Sequence, residues 1–439
     1  MIRFSPHQTT TDLIMSEHAA PAVKPADDPA FSLPASLSSF QLPLLGGGLV
    51  VLLIGMVLSF LVSDEAMPRF GFSAYLTAFL YVLSIVLGCL FFVLIQHLVR
   101  AGWSVVVRRI AECTMIMVFP LAFLFLPVLF SLFFNGELFV WTDPNFAAEH
   151  GLDAKMWATK QLYLNSPFFC LRAVFYFCVW GGLALYYWRG SVRQDETGER
   201  AATDRMQYWS GPAVMAFSLT LTFAAFDWGM SLAPMWFSTM FGVYMFAGGI
   251  LSAHCLITLM TYLLQRNGAI KDEVTPEHYH DLGKYMFGFI VFWTYIGFSQ
   301  YMLIWYGNIP EETEWFYSRQ VGDFGYISIG LILFHWLIPF AGTMSRHARR
   351  KPGLMAFWAG YILVMHFIDI YWIVMPEARI LEPGVVPTFG GFMGIAGSLL
   401  CVVGMSALVL GLILKVAGGN RLVPVRDPRL LESIAFENI

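Results

Sequence analysis

Long apolar runs separated by short polar segments set the pattern of this 439-residue chain. Ten runs reach about 20 residues, the length that a helix needs to cross the apolar layer of a bilayer. The break between the fifth and sixth runs is short and contains Pro234. The pattern predicts an all-α, polytopic (multi-pass) membrane protein with about ten transmembrane helices, at 43–63, 74–99, 110–134, 167–188, 211–230, 236–264, 284–306, 324–344, 354–375 and 390–415.

The composition agrees with a lipid environment. Only 13% of the residues are charged, whereas a soluble domain carries about 25%. Another 16% are aromatic, and Trp and Tyr near the ends of spans are typical of the belts at the lipid–water interface. The chain has no basic run with interleaved aromatic residues, which argues against nucleic-acid binding.

Two tails flank the predicted membrane domain of residues 41–415. Residues 1–40 are rich in Pro, Ala, Ser and Asp and have no apolar periodicity, which predicts a disordered tail. This tail lacks the apolar core of a signal peptide, so we expect the first span to act as the insertion signal. Met15 is an alternative start to Met1. Residues 416–439 form the predicted C-terminal tail.

The distribution of positive charge predicts which side of the membrane faces the cytoplasm. Twenty of the 26 Lys and Arg residues fall in the two tails and in the loops on the same side, and five fall in the opposite loops. The remaining one, Arg172, lies inside a span. By the positive-inside rule, both tails are cytoplasmic, and the 135–166 loop and the acidic loop at 308–315 face outward.

The chain contains no motif for nucleotide binding or for a redox centre. It has no Walker A loop, no Gly-x-Gly-x-x-Gly segment and no nucleophile elbow. Its six cysteines form no Cys-x-x-Cys or Cys-x-x-Cys-His motif. Zinc, an iron–sulfur cluster and covalently attached haem therefore have no predicted site.

Several ionisable side chains lie within the predicted spans, where a charge costs several kcal/mol and needs an explanation. A rise of about 1.5 Å per residue orders them from the cytoplasmic surface to the outer surface. His366 and Asp369 share one helix face, because residues three apart lie together. Such groups can relay protons, so the sequence predicts a polar ladder of Glu112, His254, His335, His366, Asp369, Asp227 and Arg172.

Most members of this ladder also have a structural interpretation. Arg172 is a candidate for an ion pair with Asp227 or Asp369 that neutralises a buried charge. Glu112, with two arginines one turn earlier, is expected in a surface ion pair. His254 is equally well explained by a hydrogen bond to a helix carbonyl. The strongest functional candidates are the imidazole and carboxyl groups one turn apart near the midplane.

Two metal-based alternatives remain open. His335 and His366 lie at matched depth and could supply both axial ligands of a b-type haem, although no spacing rule singles them out. His278, His280 and Asp281 could bind a metal ion, but they lie in a polar loop. Asp281 is better explained as the N-cap of the next helix.

The span at 284–306 carries hydrogen-bonding groups inside an apolar run, at Tyr295, Ser299, Gln300 and Tyr301. It ends before an acidic loop that is a plausible docking surface for partner subunits or a proton exit. Such a span is expected to face protein or a polar pathway rather than lipid alone.

Four segments carry a resemblance to a known family. The most specific is HDLGKYMFGFIVFWTYIGFSQYMLIWYGNIPEETEWFYSR at 280–319, followed by HWLIPFAGTMSRHARRKP at 335–352. The segments YLNSPFFCLRAVFYFCVW at 163–180 and HFIDIYWIVMP at 366–376 add to it. Across about 41–415, the chain resembles the F subunits (quinone-associated membrane subunit 2) of bacterial alternative complex III, within the NrfD/polysulfide-reductase family of membrane anchors.

This resemblance implies two four-helix bundles with flanking helices in the bacterial inner membrane. It implies a place in a quinol:cytochrome c oxidoreductase whose redox centres belong to partners: an iron–sulfur subunit and a multihaem cytochrome c, beside a paralogous quinone-binding subunit. For this chain it implies a proton path and a quinone or quinol site. The alternatives are a structural anchor subunit and a secondary transporter. A transporter would be expected to show broken helices in an inverted repeat, and no convincing pair of interrupted spans occurs in matched positions.

Overall fold

The computed structural model describes residues 24–25, 27–63, 69–134, 136–378 and 388–438. It consists of helices and turns, and no strand occurs in these ranges. Ten helices of the described residues are long and apolar enough to cross a membrane, which confirms the predicted fold class. They are α1 (Gln41–Val62), α2 (Phe70–Leu98), α3 (Val105–Ser131), α4 (Ser166–Thr197), α5 (Arg200–Trp228), α6 (Phe241–Arg266), α7 (Pro276–Gly307), α8 (Gly322–Met344), α9 (Pro352–Val374) and α10 (Gly391–Gly418).

Eight of these helices form two four-helix bundles. Helices α2–α5 pack together in the first bundle, and α6–α9 pack together in the second. The bundles meet where α2 contacts α6 and α9, so α2 and α6 are the most buried spans. Helices α1 and α10 form a tightly packed antiparallel pair that flanks α2.

Glycines allow the close approach of α1 and α10. Gly48 and Gly55 in α1 are seven residues apart, and Gly397 and Gly404 in α10 have the same spacing. Seven residues are about two helical turns, so each pair lies on one face. A Cβ on Gly404 would lie only 2.3 Å from the backbone nitrogen of Leu52. The two backbones are therefore in direct contact, as is common where small residues mediate helix packing in lipid.

Proline accounts for two departures from regular α-helix. Helix α3 is divided into three segments near Pro120 and Pro127. Helix α8 contains a π-helical segment, Leu331–Leu337, shortly before Pro339. Pro339 has no N–H to donate to a carbonyl of the preceding turn. The carbonyls of that turn therefore accept from N–H groups five residues later, which is the π-helical pattern. His335 lies in this π-helical segment.

The first and the last described residues, from Lys24 and up to Asn438, fold against the same end of the bundle, which we call the termini side. Residues 29–40 were expected in the disordered tail, but Pro29–Phe31 form a 3₁₀ turn and the Phe31 side chain is buried. The backbone N–H of Leu422 donates to the carbonyl of Phe31. Residues 420–438, called the C-terminal strap below, thus hold this turn in place. Residues 1–23 of the predicted tail lie outside the described residues.

Candidate functional site

His366 and Asp369 lie one turn apart on α9 and face α6. Nδ1 of His366 is 3.9 Å from Oδ2 of Asp369, and both side chains are buried. Gly248 on α6 provides the necessary space, because a Cβ there would lie 3.0 Å from Cε1 of His366 and 3.2 Å from its Nδ1. The pair favoured by the sequence analysis therefore lies at the contact between α9 and α6.

Two neutral donors hold the carboxyl group of Asp369. The hydroxyl of Tyr244 donates to Oδ1, and the indole N–H of Trp293 donates to Oδ2 over 3.1 Å. Tyr244 belongs to α6 and Trp293 to α7, so three helices converge on this group. No Lys or Arg of the described residues forms an ion pair with it. The carboxyl group can therefore change its protonation state without breaking an ion pair.

A hydrogen bond to α2 sets the protonation pattern of His366. Its Nε2 is 2.8 Å from Oγ of Ser84, and that hydroxyl donates its only hydrogen to the carbonyl of Tyr81, also over 2.8 Å. With that hydrogen on the carbonyl, we assign the imidazole hydrogen to Nε2, the neutral tautomer in which Nδ1 carries the lone pair. This lone pair faces Asp369. A lone pair and a carboxylate repel each other, so the two groups are most stable with one proton between them.

His335 approaches the same site from α8. Its ring centroid is 4.1 Å from that of Trp293. The side chain is fully buried, and neither ring nitrogen has a hydrogen-bond partner among the described residues. Trp293 thus lies between His335 and the carboxyl group of Asp369. This packing does not favour a haem held between His335 and His366, because Trp293 covers the His335 ring and Nε2 of His366 is bonded to Ser84.

Arg172 and Asp227 form a separate ion pair that links α4 to α5. Nε and Nη2 of Arg172 each lie 2.8 Å from a carboxylate oxygen of Asp227. The hydroxyl of Tyr176 donates to the same carboxylate over 2.7 Å, and Nη1 of Arg172 donates to the carbonyl of Tyr163 over 2.9 Å. Of the two partners considered for Arg172, the structure shows Asp227. The bidentate, fully bonded geometry is typical of a structural pair.

Glu112 belongs to a buried ionic cluster, so the expectation of a surface ion pair is wrong. Its carboxylate oxygens lie 3.0 Å from Nε of Arg108 and 3.1 Å from Nε of Arg109. Arg108 also pairs with Asp427 of the C-terminal strap, and Arg109 pairs with Asp195 of α4, each over 2.6 Å. The strap covers this cluster, and a contact so distant in sequence leaves no local signal.

His254 lies on α6, about 9 Å beyond Gly248 towards the termini side. Its Nδ1 is 2.8 Å from the carbonyl of Ile250 on the same helix, which agrees with the structural interpretation. Its Nε2 has no partner among the described residues, and the same holds for the buried polar groups of Ser252 and Gln96. Buried polar atoms are normally hydrogen-bonded, often to ordered water. We therefore expect water along this contact between α6 and α2.

The residues considered for a metal site at the start of α7 have other structural roles. His278 belongs to the capping box of this helix, where its Nδ1 accepts from the backbone N–H of Thr275 over 3.0 Å. Asp281 lies inside α7, so the N-cap assignment is wrong, and Thr275 is the N-cap. Within the described ranges, no group of three His, Cys, Asp or Glu side chains is suited to a metal ion.

The structure brings three of the seven predicted ladder residues together: His335, His366 and Asp369. With Ser84, Tyr244 and Trp293 they form what we call the central cluster. These last three residues were not predicted from the sequence, whereas Tyr295 in α7 was singled out although its side chain is 63% exposed. The helical spacing of apolar residues could have identified Trp293. It shares a buried face of α7 with Ile290 and Ile296, three residues away on either side.

Comparison with known proteins adds no identity, since no family model and no curated protein matches the chain. The family assignment therefore stays a prediction that rests on the four segments quoted above.

Proposed function

We propose that this chain is a membrane subunit of a bacterial quinol:cytochrome c oxidoreductase of the alternative complex III type. In this proposal the central cluster passes protons while partner subunits carry out the redox chemistry. One observation carries the proton-transfer role. Asp369 is buried in a span, bonded only to neutral donors, and faces the lone pair of His366. Ionisable groups inside a membrane that lack a permanent ion pair are typical of proton relays.

Buried polar atoms without a hydrogen-bond partner favour a proton supply from the termini side. The unpartnered groups of Ser252, His254 and Gln96 follow the contact between α6 and α2 in that direction. The ionic cluster around Glu112 lies at the end of this line, where the C-terminal strap meets α3. Water molecules bridging these groups would complete a hydrogen-bonded path to Asp369.

His335 supports the quinone part of the proposal. A quinone carbonyl needs a hydrogen-bond donor close to lipid, from which the molecule enters. His335 offers an imidazole without partners, and Leu333, Phe334 and Leu337 on the same π-helical segment are exposed on the outer surface of the bundle. In this role His335 would bind quinone, and Asp369 with His366 would exchange the protons.

The outer face of α7 supports assembly with another membrane protein. Tyr295 lies near the middle of the span, is 63% exposed, and has no hydrogen-bond partner for its hydroxyl among the described residues. A hydroxyl facing hydrocarbon at that depth is unfavourable. A neighbouring transmembrane helix with a polar side chain at the same depth would satisfy it. We assign this role to a partner subunit of the complex.

The test uses the intact complex purified with Asp369→Asn, Asp369→Glu, or Glu149→Gln as a control at an exposed carboxylate far from the central cluster. We expect Asp369→Asn to lower quinol turnover and proton release per electron by about tenfold or more, because the amide cannot carry the proton. Asp369→Glu should retain part of the activity, and Glu149→Gln should behave as wild type.

A different result would favour one of the alternatives. Unchanged turnover and proton release with Asp369→Asn, in a complex of normal subunit content, would leave the chain as a structural anchor. Purification without redox partners, together with ion-coupled uptake in vesicles, would instead indicate a secondary transporter.

A further inference from the structure

We propose that a basic pocket on the termini side binds the phosphate group of an anionic phospholipid. The pocket has a volume of about 420 Å³ and lies between the turn after α2, the start of α5 and the C-terminal strap. Arg100, Arg200 and Arg429 line it from these three parts of the chain, and Thr203 and Gln207 add polar side chains. None of these residues belongs to the central cluster, so the proposal is independent of the proposed function.

The charges of the pocket are incompletely paired. Arg429 is held by Glu432 through two hydrogen bonds of 2.8 and 2.6 Å. The guanidinium groups of Arg100 and Arg200 have no partner in the described part of the chain. One further carboxylate, Asp204, also lines the pocket and opposes an anion. Three arginines against two carboxylates still leave a positive pocket, and two free guanidinium groups suit the oxygens of a phosphate.

The backbone of Arg100 gives an independent indication that a side chain is required there. Its φ is 52°, in the left-handed region, where glycine would be unstrained. Residues held in this conformation against their preference tend to occur at binding sites. An arginine at a turn that favours glycine is explained if its guanidinium group contacts a ligand.

The surroundings of the pocket identify the source of the phosphate. Leu98 and Val99, next to Arg100, expose apolar side chains, as the acyl chains of a lipid require. Tyr208 and Trp209, two turns into α5, are 76% and 52% exposed. Exposed Tyr and Trp at the end of a span mark the depth of the headgroups. The pocket therefore lies at headgroup level on the side predicted to be cytoplasmic, where basic pockets recognise anionic lipids.

The test measures lipid binding to the full-length protein in zwitterionic detergent. Phosphatidylglycerol is titrated and its retention is followed by native mass spectrometry, with phosphatidylcholine as the neutral reference and inorganic phosphate as competitor. We expect Arg100→Gln with Arg200→Gln to weaken phosphatidylglycerol binding by about tenfold or more. The matched control, Arg193→Gln with Arg346→Gln, removes two exposed arginines from the same side and should change binding by less than about twofold.

Asp204→Asn keeps the proposal falsifiable if the double variant fails to fold. Removal of this opposing carboxylate should strengthen phosphatidylglycerol binding by about twofold or more. Equal losses in the pocket and control variants, or no gain with Asp204→Asn, would overturn the proposal. Displacement of the lipid by millimolar phosphate would show a free-anion site instead and would also overturn it.

Discussion

Ser84 and His366 share a hydrogen bond of 2.8 Å that crosses the boundary between the two bundles. Ser84 belongs to α2 of the first bundle, and His366 belongs to α9 of the second. With the serine hydroxyl donating to the carbonyl of Tyr81, we assign the imidazole hydrogen of this bond to Nε2. The proton carried between His366 and Asp369 is therefore linked to the packing of one bundle against the other.

Ser84→Ala should separate the role of this bond from that of the surrounding helix. The variant leaves the buried Nε2–H without an acceptor, which should lower the free energy of unfolding by about 1–3 kcal/mol. It also frees the hydrogen to move to Nδ1, so that His366 donates permanently to Asp369 and proton release slows. Both effects are measured on the purified complex by thermal unfolding and by proton release per electron.

Thr77→Val is the matched control for this prediction. Its hydroxyl donates only to the carbonyl of Ser73 on the same helix, over 2.8 Å. Loss of this local bond should leave proton release unchanged. If Ser84→Ala released protons at the wild-type rate, the bond to His366 would have no functional role.

Gly248→Ala should displace the His366 ring. The added methyl group would lie 3.0 Å from Cε1 and 3.2 Å from Nδ1, tighter than ordinary van der Waals contact. We expect turnover to fall by about tenfold or more because the ring loses its alignment with Asp369. Gly288→Ala on α7 is the control, since a Cβ there meets nothing within 4 Å. Equal turnover in the two variants would show that the close contact is not functional.

The membrane fold was predictable because the bilayer imposes a minimum length on every span. That constraint acts on contiguous sequence, so ten spans could be counted from apolar runs alone. The ionic cluster of Glu112 was not predictable in this way. It depends on Asp427 of the C-terminal strap, more than 300 residues away, and no local pattern encodes such a contact.

In the candidate site too, contacts within one helix were predictable from the sequence, and contacts between helices were not. His366 and Asp369 could be paired from sequence because residues three apart share a helix face. Ser84, Tyr244 and Trp293 come from three other helices, and their approach depends on how those helices rotate about their axes. Spans that are apolar on most faces give little information about rotation. Pro339 likewise explains the π-helical segment at His335. The sequence alone did not predict it, because a proline in a span can also be accommodated by a kink.

Arg172→Gln and Asp227→Asn should destabilise the protein without affecting chemistry. Each variant leaves the other partner buried and unpaired, which should lower the free energy of unfolding by about 3–5 kcal/mol. The double variant removes both charges and should be more stable than the sum of the single effects predicts. Thermal unfolding measures the stabilities, and turnover per folded complex should stay within about twofold of wild type. Much lower turnover in stably folded Asp227→Asn would place this pair in the proton path.

Lys24→Gln should loosen the N-terminal segment of the described chain from the domain. Nζ of Lys24 lies 2.8 Å from Asp272 and 3.0 Å from Glu273. The hydrogen bond to Asp272, with the nearby carboxylate of Glu273, raises the pKa of Lys24 to about 12, and the same contact lowers the pKa of Asp272. The stabilisation from the lysine is complete below its unfolded pKa of about 10.4 and is lost as pH rises through about 12. The aspartate contribution is complete above about pH 3.9 and is lost as pH falls through its lowered pKa.

At pH 7 both groups are charged, so hydrogen exchange near Phe31 should be about twofold to fivefold faster in Lys24→Gln than in wild type. The difference should shrink in 1 M salt, because screening weakens an exposed ion pair. Lys155→Gln, on the opposite side of the bundle, controls for loss of a positive charge. Exchange that is equal in Lys24→Gln and wild type at low salt would mean that the buried Phe31 ring, not the ion pair, holds this segment.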